Sequence, residues 1–371
     1  MSSLGDSTRC VHAGLPPLSP GDPLQPGPVF AAPYALPAEG YEPGIDGYGR
    51  GDNPTRRVLE AAIAELEGGD TLAFPSGQAA ISAVLMTVLR PGDTLMLPSD
   101  GYYNVRTFAS SFLADLDIRV VEAPTAGPYP SFDGVRLVLL ESPANPSLDV
   151  VDIAQVAEAA HAAGALVAVD NTAATPLGQR PLDLGADISV ASGTKALSGH
   201  SDLLLGYVSA LSPALYEHMA SWRTLAGAIP SPFDAWLARR SLSTLDLRLR
   251  QQTLNASALA TFLSTHPAVS NVRWPGLPGD PSFEVASRQM RRIPGIIGFT
   301  LPSAAAVAEF LRASRLVVAA TSFGGLHTTA DRREQWGDRT APGFVRLSCG
   351  IEDADDLLAD FSSALALSLS R

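Results

Sequence analysis

The stretch Ser192-Gly193-Thr194-Lys195-Ala196-Leu197-Ser198-Gly199-His200 holds the only lysine in a chain that carries 26 Lys and Arg residues. On a solvated surface arginine does what lysine does, so a position that keeps its lysine points to chemistry a guanidinium cannot perform. An amine desolvated in a pocket loses its proton and can attack a carbonyl, whereas a guanidinium stays charged at any working pH. The small residues and hydroxyls before Lys195 suit a backbone packed closely against a ligand. From the count alone, an ordinary surface lysine remains the plainer alternative.

Other polar residues stand where a ligand would need them. Glu141, Asp170 and Ser192 each close an apolar run that reads as a strand. In open α/β sheets ligands bind outside the carboxyl ends of the strands. Asp170 follows Ala-Leu-Val-Ala-Val, and a carboxylate there is costly unless it meets a cation or hydrogen-bond donors. A protonated pyridine nitrogen would serve, and so would a helix end or a structural ion pair. Ser76-Gly77-Gln78 separates a short strand from an apolar helix, an arrangement whose free N–H groups can hold an anion. Arg346 lies inside Phe-Val-Arg-Leu-Ser, either on a solvated face or aimed at a carboxylate, which its fork matches in two-pronged fashion.

The elements that must carry these residues follow from periodicity. Strands are predicted at Thr71–Phe74, Thr94–Leu97, Ile118–Glu122, Val135–Glu141, Ala165–Asp170, Asp187–Ser192 and Leu203–Ala210. Helices follow Thr55, which can cap the first of them, and Gln78, with another at Ile153 to Ala163. Short buried strands alternating with helices imply a mostly parallel sheet covered on both faces. Residues 1–45 are rich in Pro and Gly and read as an irregular arm, lying on its own body or on a neighbouring subunit. Residues 46–230 form the α/β domain. Residues 231–371 form a smaller α+β domain, with helix at Leu237–Leu263, strands at Ile296–Leu301, Arg315–Ala319 and Phe344–Ser348, and helices at Ala304–Ala313 and Asp353–Leu367.

Composition excludes some classes. The net charge is −12, and phosphate backbones need a basic face, so nucleic acid is not an expected partner. The apolar runs are too short to span a bilayer, and the N-terminus shows no signal pattern. Cys10 and Cys349 make neither a disulfide framework nor a metal cluster, which suits a reducing cytoplasm.

Taken together the motifs resemble the family of pyridoxal-phosphate (PLP) enzymes of cysteine and methionine metabolism, the trans-sulfuration enzymes. The resemblance runs from Tyr48 to Glu352. It rests on Tyr48 to Thr55 (Y-x-R-x-x-N-P-T), Ser76 to Ala80, Glu141 to Pro146, Val169 to Thr172, Ser192 to Asp202 (S-x-T-K-x-x-x-G-H-x-D), Ser322 to Gly325 and Arg346 to Glu352 (R-x-S-x-G-x-E).

The resemblance implies an aspartate-aminotransferase-like fold, that of fold type I PLP enzymes. It implies that Lys195 holds the cofactor as a Schiff base and then moves the substrate proton. Asp170 would pair with the pyridine nitrogen, and Ser76, Gly77, Gln78, Ser192 and Thr194 would bind the phosphate. Tyr102 would stack on the ring and act as acid or base. Tyr48 and Arg50 would reach the phosphate of a neighbouring subunit, in a homotetramer built as a dimer of dimers. Arg346 and Asn145 would hold the substrate carboxylate, with Ser322 nearby and the backbone near Thr328 assisting. No metal is implied.

Departures from the family pattern bear on substrate. Gln78 replaces a methionine, Tyr103-Asn104 replaces small residues, and His327 stands where γ-acting members commonly carry Glu. Asn104 also occupies the position that is Cys in methionine γ-lyases, which counts against that member. His327 with Asp331, Arg332 and Arg333 either meets an unusual substrate side chain or forms a solvated loop. The resemblance implies a carbon–sulfur lyase, a cystathionine γ-lyase first, with a γ-replacement enzyme or a β-lyase as alternatives. An aminotransferase and a catalytically silent regulator are the readings from other classes. A regulator would carry a DNA-binding module, for which neither end has room or charge.

Overall fold

Two β-sheets organise the chain, one in each half of the sequence. The computed structural model describes residues 4–368; the outermost residues of the predicted arm and of the C-terminal domain lie outside that range. The first sheet has strands β1 (Asp70–Phe74), β2 (Thr94–Pro98), β3 (Arg119–Ala123), β4 (Leu137–Glu141), β5 (Leu166–Asp170), β6 (Ile188–Ala191) and β7 (Gly206–Ala210). Their order is β1-β7-β6-β5-β4-β2-β3, and only β7 runs antiparallel to its neighbours. The central strands β4 to β6 are buried along almost their whole length, as their Val, Leu, Ile and Ala content requires of a sheet covered on both faces.

Helix α1 (Asp6–His12) lies within the predicted arm, and Cys10 and Ala13 pack into the core of their own chain. The first part of the arm is therefore helical and packed on its own body. Helix α2 (Pro54–Glu67) is capped by Asn53, whose side chain accepts from the amides of Thr55 and Arg56. Thr55 is not the cap: its hydroxyl accepts from Val29 N–H and ties the arm down. Helix α3 (Gly77–Val88) packs its apolar stripe on one face of the sheet, and α5 (Ile153–Ala162) packs on the other; α4 (Tyr103–Phe108) lies between them in sequence.

The second sheet contains β8 (Ser270–Arg273), β9 (Ile296–Thr300), β10 (Val318–Ala319), β11 (Thr329–Arg332) and β12 (Phe344–Ser348), in the order β10-β11-β12-β9-β8. The predicted helix 237–263 is two helices, Pro232–Leu242 and Leu245–Thr265. The first packs against α2, so the large domain's core extends past residue 231, while the far end of the second covers the small sheet. The strand predicted at Arg315–Ala319 shrinks to two residues because the amides of Arg315 and Leu316 are taken by the Asp360 carboxylate. The strand predicted from Leu203 begins only at Gly206. Leu205 instead exchanges both its backbone groups with Thr194, beside Lys195.

Candidate active site

The carboxyl ends of β4, β5 and β6 open on a cavity of about 360 Å³ whose walls include Glu141, Asp170, Ser192 and Lys195. Register places Glu141 directly beside Asp170. Both carboxylates are buried. Burial and the Asp170 charge push Glu141 well above the usual carboxylate range, against the pull of the Tyr102 and Asn145 amides that it accepts at 2.7 Å each. Burial also raises Asp170, opposed by Thr172, whose amide donates to it at 2.9 Å, and by Lys195.

Lys195 sits in a tight loop that follows β6. Arg248, from the helix Leu245–Thr265, donates to the carbonyls of Ala196 and Leu197 at 2.6 and 3.1 Å and clamps the loop in place. Gly199 is required there: its φ is +68°, and a Cβ would stand 1.8 Å from the Arg248 guanidinium. The Lys195 amine donates to Ser322 Oγ at 2.8 Å and lies 5.3 Å from the centre of the Phe323 ring. Burial pulls its pKa down to about 8, helped by the positive charges of Arg346 and Arg333 and opposed by Asp170. This is the desolvated amine that the sequence called for.

Arg346 reaches the same cavity from β12. It is buried and donates to Asn145 Oδ1 at 2.6 Å and to the Ser322 carbonyl at 2.9 Å, while its Nε has no partner among the described residues. Ser322, between Lys195 and Arg346, holds φ at +75°, a strained conformation for a residue with a Cβ. Tyr102 forms another wall. Its amide is fixed by Glu141, its ring meets Tyr103 edge-on at 5.2 Å, and its hydroxyl accepts from Asn104 Nδ2 at 2.8 Å.

An anion site lies at the start of α3. Ser76 Oγ caps Ala79 N–H, and the Ser76 carbonyl accepts from Ala80 N–H. The amides of Gly77 and Gln78 are left without a partner among the described residues, at the positive end of the helix dipole. Ser192 closes in so tightly that a Cβ on Gly77 would stand 2.6 Å from the Ser192 Cβ. The Thr194 hydroxyl is already occupied, donating to the Leu205 carbonyl and accepting from its amide. Of the three predicted hydroxyls only that of Ser192 has no partner among the described residues.

The donor set fits PLP. It supplies a neutralisable amine for the aldehyde carbon, a buried carboxylate for the pyridine nitrogen, an aromatic wall, and unpaired amides at a helix start for a phosphate.

Four predicted site residues stand elsewhere. Thr328 is buried, and its amide and hydroxyl are both held by Glu352, so it faces the small domain's interior. His327 lines an adjoining cavity of about 690 Å³ with Asp202 and Asp234, which meets the first at Thr194, Leu204 and Ser322. Tyr48 and Arg50 do not line their own chain's cavity. Tyr48 is exposed and Arg50 lies 5.6 Å over its ring. The pair Arg332 and Arg333 divides. Arg332 bonds Glu334 outside, while Arg333 is buried between Asp331 and Asp338 and lines the cavity.

Sequence reasoning passed over Trp336, Phe323 and Leu204, which supply apolar wall. It placed Glu141 at a strand end but gave it no task; the structure makes it the strut that sets both Tyr102 and Asn145. A carboxylate ending an apolar strand was the available signal.

The sheet order, the lysine loop and this set of groups define a fold type I PLP-dependent enzyme. The chain belongs to the Cys/Met metabolism PLP-dependent enzyme family, whose model matches residues 31–366. A Streptomyces coelicolor protein, whose cystathionine gamma-lyase name is itself provisional, is 52% identical over 98% of this chain and 94% of its own. The cystathionine gamma-synthase of Mycobacterium tuberculosis is 37% identical over 97% of each chain. The structure of a Xanthomonas oryzae cystathionine gamma synthase in complex with cystathionine superposes with a TM-score of 0.95 at 35% identity, over 100% of both chains.

Proposed function

We propose that the protein is a PLP-dependent cystathionine γ-lyase. It would convert L-cystathionine and water to L-cysteine, 2-oxobutanoate and ammonia. The observation that carries the chemistry is the buried Lys195 amine, held by Ser322 within one cavity with Asp170, Tyr102 and Arg346. The choice of substrate rests on the 52% identical relative.

When bound, PLP supplies the electron sink that stabilises negative charge at the substrate's α-carbon. Asp170 holds the pyridine nitrogen in its protonated form. Ser192 and the Gly77 and Gln78 amides hold the phosphate. Arg346 takes the substrate carboxylate in a charge-assisted pair, and Asn145 fixes the guanidinium's plane. Lys195, which shares that cavity, would use its neutral amine to remove the α-proton and later return a proton along the side chain. Tyr102 donates to the departing sulfur. Phe323, buried in the cavity wall, limits water at the reacting atoms.

A γ-replacement reaction is the second reading. It is favoured by the γ-synthase relatives and by His327 on the adjoining cavity, where a second substrate could wait. Incubation with L-cystathionine, with and without added thiol, separates the two. The lyase reading predicts 2-oxobutanoate and cysteine regardless of thiol. Product only with thiol would overturn it in favour of replacement, and pyruvate would overturn it in favour of β-cleavage.

The active sites are shared in this reading. Exposed Tyr48 and Arg50 would complete the phosphate site of a partner copy, within a homotetramer. The two cysteines are free and buried, which fits a cytoplasmic setting, and no helix among the described residues is long and apolar enough to cross a membrane.

A further inference from the structure

We infer that Asn104 is a positioning residue that turns the Tyr102 hydroxyl proton into the active-site cavity. The inference rests on the C–S cleavage proposed above. A tyrosine hydroxyl carries one proton and accepts through its lone pairs. Asn104 Nδ2 sits 2.8 Å from the Tyr102 oxygen and can only donate to it. That bond fills an acceptor direction on the Asn104 side, so the hydroxyl's own proton points away from Asn104. Tyr102 lines the active-site cavity and Asn104 does not, so that cavity is the open space left to receive the proton.

The rest of the surroundings hold the phenol in that orientation. Glu141 grips the Tyr102 amide from β4, and Tyr103 blocks one edge of the ring. The titratable and charged groups that face Tyr102 are Glu141 on β4, Asp170 on β5, Lys195 after β6, Arg333 after β11, Arg346 on β12, and Tyr103 and Arg106 on α4. None of them offers a hydrogen bond to the hydroxyl; Asn104 does. Burial raises the Tyr102 pKa, and the Asn104 hydrogen bond is the first influence that lowers it.

The consequence is directional proton transfer. As the carbon–sulfur bond breaks, its electron pair stays on sulfur, and sulfur takes the Tyr102 proton and leaves as a thiol. The phenolate that remains keeps the Asn104 amide as its donor until it regains a proton from water. Asn104 thus serves both halves of the cycle without touching the substrate.

The test uses the holoenzyme and the variants Asn104→Ala, Asn104→Asp and Tyr102→Phe. Turnover of L-cystathionine, or of the sulfur amino acid that the assay above identifies, is followed against pH. The Tyr102 titration is read by NMR of ring-labelled tyrosine, assigned by its loss in Tyr102→Phe. Asn104→Ala is expected to lower kcat about three- to tenfold, the loss of one neutral hydrogen bond, with KM within about twofold, and to raise the Tyr102 midpoint. Asn104→Asp is expected to lower kcat further, because a carboxylate accepts the phenol proton and turns it out of the cavity. Variants that match wild type in kcat and in Tyr102 midpoint, while Tyr102→Phe is inactive, overturn the role of Asn104 alone. Wild-type kcat in Tyr102→Phe overturns the proton-donor role of Tyr102 and the inference with it.

Discussion

Lys195 Nζ donates to Ser322 Oγ at 2.8 Å across 127 positions of sequence, from a loop of the large domain to the edge of the small one. The Ser322 carbonyl in turn accepts from Arg346. One strained serine therefore spaces the amine proposed to handle the proton from the guanidinium proposed to take the carboxylate. Two hydrogen bonds to one residue thus hold both side-chain ends at a defined spacing.

The depressed Lys195 pKa predicts how the cofactor-free protein recaptures PLP. Only the neutral amine reacts, so the rate should rise with pH and level off above about 8, well below the ordinary lysine value of 10.5. Arg346 repulsion ranks next to burial among the causes, so Arg346→Ala should move the midpoint upward. Stopped-flow absorbance measures both. A rate still climbing at the ordinary lysine value contradicts the burial argument.

Arg346→Lys keeps the charge and loses the fork. Its KM for the amino-acid substrate should rise about ten- to a hundredfold, the range for losing a hydrogen bond to a charged group, with PLP content unchanged. Steady-state kinetics with a cofactor assay checks it, and an unaltered KM would remove Arg346 from the carboxylate site.

Gly77→Ala adds a Cβ 2.6 Å from that of Ser192. Either the helix start or the strand end must shift, at about 1–3 kcal/mol for overpacking. PLP affinity should fall about tenfold or more while the far-ultraviolet spectrum is retained. Equilibrium dialysis measures it.

If Tyr48 and Arg50 serve a neighbouring copy, two lesions should complement. Lys195→Ala and Arg50→Ala, each of low activity alone, should regain about a quarter of wild-type sites when reassembled in equal amounts, because half of the sites in mixed pairs are intact. No recovery in subunits shown to have exchanged would place Arg50 in its own chain's site.

Much of this was legible in the sequence because strand ends announce themselves. Asp170 and Glu141 each end an apolar run, and such runs together with helical patterns placed β4, β5, β12 and the helix Ala304–Ala313 to within a residue or two. The lysine was visible as a count. What did not show was anything that depends on where one side chain spends its hydrogen bonds. Thr194 lines the cavity as expected, yet its hydroxyl is spent on the Leu205 backbone. Thr328 looks like a substrate contact until Glu352 is seen to hold it. Arg332 and Arg333 are adjacent, yet only Arg333 turns inward, because Asp331 and Asp338 are positioned to receive it. The helix in the arm was hidden by the prolines that follow it.

The most direct measurement is the visible spectrum and the turnover of Lys195→Ala and Lys195→Arg beside wild type, each supplied with PLP and L-cystathionine. An amine tethered at Lys195 predicts that both variants lose the covalent cofactor's visible band and all 2-oxobutanoate release, Lys195→Arg despite keeping its positive charge. A variant that retained the band and turned over the substrate would contradict it.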